Sequence, residues 1–389
     1  MAAGVATAAP SNDELYSMIQ QLKAENAALK NQVDASDQAV EAVVVQAEQM
    51  ASSNPFASSN VSIGGYGELH YNNLDDQNGT KDKDAVDFHR FVLFFGHEFS
   101  DDLRFFSELE IEHSLAGEGK PGEVELEQAY IQYDMSDHAT VTGGLFLMPV
   151  GILNETHEPD SFYGTERNPV EKNIIPATWW EAGLMFSGDL APGLRYDVAV
   201  TSGLDVSKKG TKNSFKIRDG RQKVAKAQAN DLAYTGRIKW TAMPGVTLAA
   251  TMQYQENITQ GNIAESEEAT LFETHAVIEQ GNFGLRALYA TWDLEGDAPK
   301  ATGYDEQTGW YVEPSYRISQ NLGVFARYSE WDNQAGLSSV KSEMEQIDVG
   351  INWWPHKNVV VKADYQIQDA EKATGTELDG LNIGIGYSF

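Results

Sequence analysis

Cysteine is absent from all 389 residues, so neither a disulfide framework nor thiolate chemistry is available. A chain of this size without thiols fits an oxidising compartment. No run of 18 or more apolar residues occurs, which excludes a membrane-spanning helix. Basic residues are scarce: 28 Lys plus Arg stand against 58 Asp plus Glu, a formal charge of −30. A surface of that sign repels a polyanion and argues against nucleic acid as a partner. Catalytic fingerprints are also missing. No G-x-S-x-G, HExxH, Walker or dinucleotide-binding pattern appears, so no catalytic residue, cofactor or metal site is expected.

What remains is rich in aromatics and glycine, with 16 Tyr, 16 Phe, 8 Trp and 34 Gly. The first ten residues contain the small-x-small pattern Ala6-Thr7-Ala8 and read as a signal-peptide remnant or a disordered lead. Residues 11–50 carry a heptad seam through Leu15, Ile19, Leu22, Asn26, Leu29, Val33, Ser36, Val40, Val43, Ala47 and Met50. That spacing predicts a coiled-coil helix with a register-setting asparagine. The Ser/Asn/Pro stretch 51–60 breaks it as a linker.

From residue 61 the helical period gives way to alternation in twos. The pattern predicts sixteen strands: 61–71, 87–99, 103–114, 123–134, 139–147, 179–188, 193–203, 232–241, 246–256, 269–280, 283–293, 308–318, 321–331, 344–354, 358–368 and 379–389. Their length is what a tilted strand needs to cross a bilayer. Short connections such as "SDD", "GN" and "SQN" take turns with long ones, of which 148–178 is the longest and 72–86 the first. Tight turns at one end and long loops at the other are the signature of a membrane meander. One strand face is apolar and ends in aromatics (Tyr66, Tyr133, Tyr196, Trp240, Tyr254, Tyr289, Trp310, Tyr316, Tyr328, Trp353, Tyr365 and Tyr387), as at a membrane–water boundary. The opposite face carries charges that no sandwich core would hold. A bilayer leaves no open sheet edge, so the strands must close. The fold class expected for 61–389 is therefore an all-β membrane barrel, a 16-stranded antiparallel up-and-down β-barrel, preceded by the N-terminal α-helical coiled coil.

Side-chain parity assigns to the pore lining Arg90, Arg104, Arg195, Arg237, Lys239, Arg286, Arg317, Arg327 and Lys362, and with them Glu108, Glu110, Glu112, Asp197, Glu273, Glu279, Glu313, Asp348 and Asp364. His89 and His97 read as wall residues. The acidic stretch 75–87 lacks the final glutamate of a calcium loop and reads as a solvated connection. The terminal "IGIGYSF", with Tyr387 and Phe389 on its apolar face, has the form of the strand that the barrel assembly machinery reads.

The stretches "FHRFVLFFGHEFSDDLRFFSELEIEH", "EQAYIQYDMSDHATVTGGLFLMPVGI" and "WWEAGLMFSGDL", with the turn Gly144, Phe146, Pro149 and Gly151, resemble trimeric porins, more narrowly the phosphate-selective porin O and P family. The resemblance is good over about 61–204 and architectural beyond. It implies a homotrimer whose loop after the fifth strand, here 148–178, folds inward and narrows the pore. That loop brings Glu155, Glu158, Asp160, Glu166, Arg167, Glu171 and Lys172. The expected function is passive diffusion of small hydrophilic solutes, anionic or neutral, with a weak anion preference. The expected place is the bacterial outer membrane, amid its lipid and lipopolysaccharide, with the helix in the periplasm. Two other readings stand beside it: a barrel anchor whose coiled coil tethers the cell wall, and an outer-membrane barrel enzyme.

Overall fold

A computed structural model describes residues 60–79, 81–207, 215–264, 266–371 and 376–389. The signal remnant, the coiled coil 11–50 and nearly all of the linker 51–60 lie outside the described residues. Residues 61–389 form one closed antiparallel barrel of sixteen strands in sequence order, with the first strand paired to the last. The strands are β1 (Val61–Asp76), β2 (Lys83–Ser100), β3 (Leu103–Glu112), β4 (Val124–Ser136), β5 (Ala139–Leu147), β6 (Trp180–Ala191), β7 (Leu194–Thr201), β8 (Ala233–Trp240), β9 (Val246–Gln255), β10 (Ala269–Gln280), β11 (Phe283–Leu294), β12 (Glu306–Ser319), β13 (Leu322–Asp332), β14 (Met344–His356), β15 (Val359–Ala370) and β16 (Leu378–Ser388).

Alternation in twos puts one residue set on each face. On β15 Lys362, Asp364 and Gln366 are buried inside while Tyr365 and Ile367 are exposed outside. On β16 Leu381, Ile383 and Ile385 face out and Asn382 faces in. Closure is complete at the end of the chain: Tyr66 pairs with Ser388 and Tyr71 with Ile383. Gly65 and Phe389 exchange backbone hydrogen bonds of 3.0 and 2.9 Å. Phe389 thus ends a paired strand, its ring stacked 6.1 Å from Phe91 and 6.4 Å from Tyr387.

Two expectations need correction. The first connection is the six-residue stretch 77–82, because β1 and β2 pair as far as Leu74 and Lys83. Beyond the bilayer both faces of a hairpin meet water, so its pairing continues after its alternation has faded. The second concerns Tyr66. It has the same parity as Glu68 and His70 and is fully buried inside the barrel, 5.8 Å from Phe94 and 6.0 Å from His157. It belongs to the inner packing rather than to an outer aromatic girdle.

The apolar core lies within the barrel, on one side. Met148, Val150, Ile174 and Trp179 of the connection 148–179 pack with Ile217 and Ile258 of later connections, and with Leu271, Trp292 and Tyr311 of the wall. Asn154, fully buried, pins both ends of the 148–179 connection. Its Nδ2 donates to the carbonyls of Met148 and Trp179 (2.8 and 2.9 Å), and its Oδ1 accepts from Trp179 N (2.7 Å). Within the connection lies the short helix α1 (Pro169–Asn173), capped by Asn168, whose Oδ1 accepts from Val170 N at 2.8 Å.

Candidate functional site

The connection 148–179 touches the inner wall almost all the way round. His157 Nε2 lies 3.3 Å from Glu108 on β3 and 3.5 Å from Glu127 on β4. Glu155 pairs with Arg237 on β8. Arg286 on β11 donates to Ser161 O, Asn352 on β14 to Phe162 O, and Lys362 on β15 to Gly164 O. Asp364 accepts from Thr165 N at 2.7 Å, Asp160 accepts from Ser388 Oγ at 2.8 Å, and Glu166 accepts from Asn72 on β1 at 3.0 Å. The glycines of "LNIGIGYSF" make room for this. A Cβ on Gly386 would come within 2.4 Å of Pro159 Cβ, and one on Gly384 within 2.9 Å of Thr165 Cγ2. Those two positions must stay bare for the connection to lie against β16.

The acids of the connection are consumed in holding it. Glu171 is fully buried and accepts from the N–H groups of Ile152 and Leu153 (2.9 and 2.6 Å) and from Tyr311 Oη (2.8 Å). Glu166 also takes Lys83 at 3.2 Å. Only Glu158 keeps its carboxylate outside such contacts among the described residues, while its carbonyl accepts from Ser161 Oγ at 2.7 Å. His157 is held charged. Burial opposes the charge, but the hydrogen-bonded carboxylates of Glu108 and Glu127 outweigh it and push the group up to about 10.

Four of the wall cations are held by carboxylates. Arg90 Nε lies 2.6 Å from Glu68, with Glu110 at 3.7 Å. Arg104 grips Asp134 through both Nη atoms at 2.6 and 2.9 Å. Arg237 lies 2.7 Å from Asp197 and also holds Glu155. Arg327 sits between Glu313 (3.0 Å) and Asp348 (2.9 Å). Arg317 stacks 3.6 Å over Trp354, and Lys362 lies 3.6 Å over Phe162. Arg195 is exposed near Asp189 at 3.8 Å, and Lys239 faces it across the β7–β8 ladder. Parity alone could not see that the carboxylate partners of Arg90, Arg104, Arg237 and Arg327 stand on adjacent strands.

Wall cations such as Arg195, Arg286 and Arg317 border open space, and a further group of cations comes from connections. Arg167, Lys172, Arg218 and Arg221 line one open cavity of about 130 Å³, together with Arg90 and with Glu110, Glu112, Glu125 and Glu127 of the wall. Arg218 and Arg221 belong to the connection 202–232, which the sequence reading took for an ordinary long loop. Its Phe215 and Ile217 are buried in the inner core, which carries the 3-10 turn Ile217–Gly220 into the barrel. Arg218 Nη1 donates to the carbonyls of Lys172 (2.5 Å) and Ala177 (3.1 Å), and Arg221 Nη1 to Thr178 O at 2.8 Å. Burial and the neighbouring guanidiniums of Arg221 and Arg167 push Arg218 down to about 9. Arg167 donates to Thr178 Oγ1 at 2.5 Å, while its Nε and Nη2 are buried with no hydrogen-bond partner among the described residues. Lys223 is spent on Glu123 and Glu125. A signal was there to be read: of 28 basic residues in the chain, five fall within "KIRDGRQKVAK" (216–226).

Comparison with known proteins agrees with this architecture. The family described as phosphate-selective porin O and P matches residues 61–389. An uncharacterised protein of Aquifex aeolicus is 34% identical over 343 residues, covering 79% of this chain and 76% of that protein. The anion-selective porin from Comamonas acidovorans superposes with a TM-score of 0.61 at 13% identity, over 85% of this chain and 100% of its own. The trimer form of OmpT, an outer-membrane protein of Vibrio cholerae, superposes with a TM-score of 0.54 at 10% identity, over 85% and 99%.

Proposed function

This chain belongs to the phosphate-selective porin O and P family and is an outer-membrane porin, a channel rather than an enzyme; from that premise we propose that it passes small hydrophilic solutes with a weak anion preference set by its connections. The carrying observation is the group Arg167, Lys172, Arg218 and Arg221 on one open cavity, with two guanidinium nitrogens of Arg167 left without a protein acceptor. Guanidinium forks match the planar oxygens of carboxylates, and charge rings in a narrow wet passage select by sign. The preference is weak because Glu110, Glu112, Glu125 and Glu127 share the cavity. Tight phosphate specificity is not part of the proposal, since Arg90, Arg104, Arg237 and Arg327 of the wall already hold carboxylates.

In this reading residues 148–179 and 202–232 together narrow the passage, the long connections face outside the cell and both termini face the periplasm. The assembly is a homotrimer, supported by the family and by the trimeric form of the superposing OmpT. The coiled coil 11–50 then stands on the periplasmic side, where three such helices would meet. Reversal potentials of single channels in a potassium chloride gradient test the central claim. Wild type should favour chloride modestly, and Arg218→Gln with Arg221→Gln should move the ratio toward potassium. A wild type that strongly prefers potassium would sink the anion reading.

A further inference from the structure

The inner wall carries a group of convergent donor side chains that the proposed function does not absorb. Asp87 and His89 lie on β2, and His113 directly follows β3. Asp87 Oδ2 is 3.0 Å from His89 Nδ1 and 2.8 Å from His113 Nδ1. One ligand atom from each of the three falls within 4.8 Å of the others. The fold explains the convergence. Asp87 pairs with inward-facing His70 across the β1–β2 ladder, which slips between Glu68 and Leu69. Such a bulge re-aims a side chain, and His89 lines the same cavity as His70 and Arg90, its ring stacked 4.6 Å from His70. His113 is left-handed (φ 53°), and its N–H donates to His89 O at 3.1 Å, which folds its imidazole back toward β2.

We infer that Asp87, His89 and His113 bind a divalent transition-metal ion of the zinc class on the inner wall, beside the passage. Two imidazoles and one carboxylate are a donor set suited to zinc, nickel or copper rather than to magnesium or calcium. A tetrahedral ion with bonds of about 2.1 Å spaces its ligand atoms roughly 3.4 Å apart, so small side-chain shifts would complete the set. The three side chains stay 26%, 27% and 33% exposed, which leaves an entry route and an open position for water. The other convergent trio, Glu108, Glu127 and His157, is buried throughout; it ties the connection to the wall and leaves no such route. The assignment departs from the sequence reading, which expected no metal and saw His89 as wall alone.

A plain hydrogen-bonded Asp between two imidazoles is the alternative, and titration separates the two. Purified full-length protein in detergent, titrated calorimetrically with zinc chloride, should take up one zinc per chain, with magnesium chloride giving no comparable binding. Asp87→Asn and His113→Gln should each raise the zinc concentration required at least tenfold, in protein whose heat-modifiable gel migration still reports a folded barrel. Uptake of no zinc, equal behaviour of wild type and variants, or equal binding of magnesium would each overturn the site. In planar bilayers, micromolar zinc should reduce the wild-type current and a chelator restore it. That arm rests on the channel reading and the binding arm does not: zinc uptake by a protein that forms no conducting pore would count against the channel alone.

Discussion

Arg327 and Arg221 both lie inside the barrel, and their surroundings differ. Arg327, on β13, has carboxylates from β12 and β14 on either side and is almost wholly buried. Arg221, on the connection 202–232, donates to a backbone carbonyl, makes no ion pair among the described residues and borders the open cavity. Strand positions are fixed by the ladder, so a charge there can be matched permanently by its neighbours. A connection that crosses the lumen has no ladder neighbours, so a charge on it such as that of Arg221 can be left without an ion-pair partner. On the proposed function, stability therefore rests on the paired wall cations and selectivity on the cations of the connections.

Four experiments probe that division, in order of expected effect. Arg327→Met should cost the most, about 3–5 kcal/mol, because it strands Glu313 and Asp348 as buried unpaired carboxylates. Equilibrium unfolding in lipid or detergent would measure it, and a cost below about 1 kcal/mol would contradict the pairing. Val349→Arg should cost about 2–4 kcal/mol in a bilayer, since Val349 is 56% exposed on the outer face. The lumen offers no easy contrast at Asn352, which is fully buried and bonded to the connection; Glu279, at the exposed end of β10, does, and Glu279→Arg should be nearly neutral there.

Third, raising the pH should loosen the connection. The folded-state value of His157 is raised from 6.5 to about 10, so its contribution is fully present below about 6.5 and lost as pH climbs through 10. Current noise should increase over that window, and His157→Gln should be noisy already at pH 7 and flat with pH. Noise that grows equally in both proteins would show that His157 does not set it. The smallest effect on stability, within about 0.5 kcal/mol, is expected for Arg221→Gln, whose signature is instead a change of a few-fold or less in the chloride-to-potassium permeability ratio. A change of that ratio in Arg104→Gln as large as in Arg221→Gln would erase the distinction between wall and connection.

The strands were legible because lipid on one side and water on the other write a period of two into the chain, most plainly in "NVVVKADYQIQ". All sixteen predicted segments correspond to strands, and the ends shift where the lipid stops, as on β1 and β2. Tyr66 was misread because a rule about aromatics near strand ends was allowed to override its own parity with Glu68 and His70. The cavity was only half legible. Parity places wall residues but says nothing about which strand supplies the partner, so nine wall cations looked available for solute. The residues that face the cavity from 202–232 carry no periodicity at all, and only their crowding in a base-poor chain marked them. The coiled coil that the heptads predict over 11–50 lies outside the described residues.

The anchoring of 148–179 has a mechanical side. A closed hoop of strands in a membrane can ovalise at little cost, since its ladders bend more easily than they stretch. A strut that reaches from Glu108 on β3 to Arg237 on β8 and Asp364 on β15 spans the hoop in more than one direction. Flattening along any of those diameters must lengthen a charged hydrogen bond. The segment that crosses the opening thus also keeps it round, and cutting the strut would let the aperture fluctuate in shape before it changed in mean width.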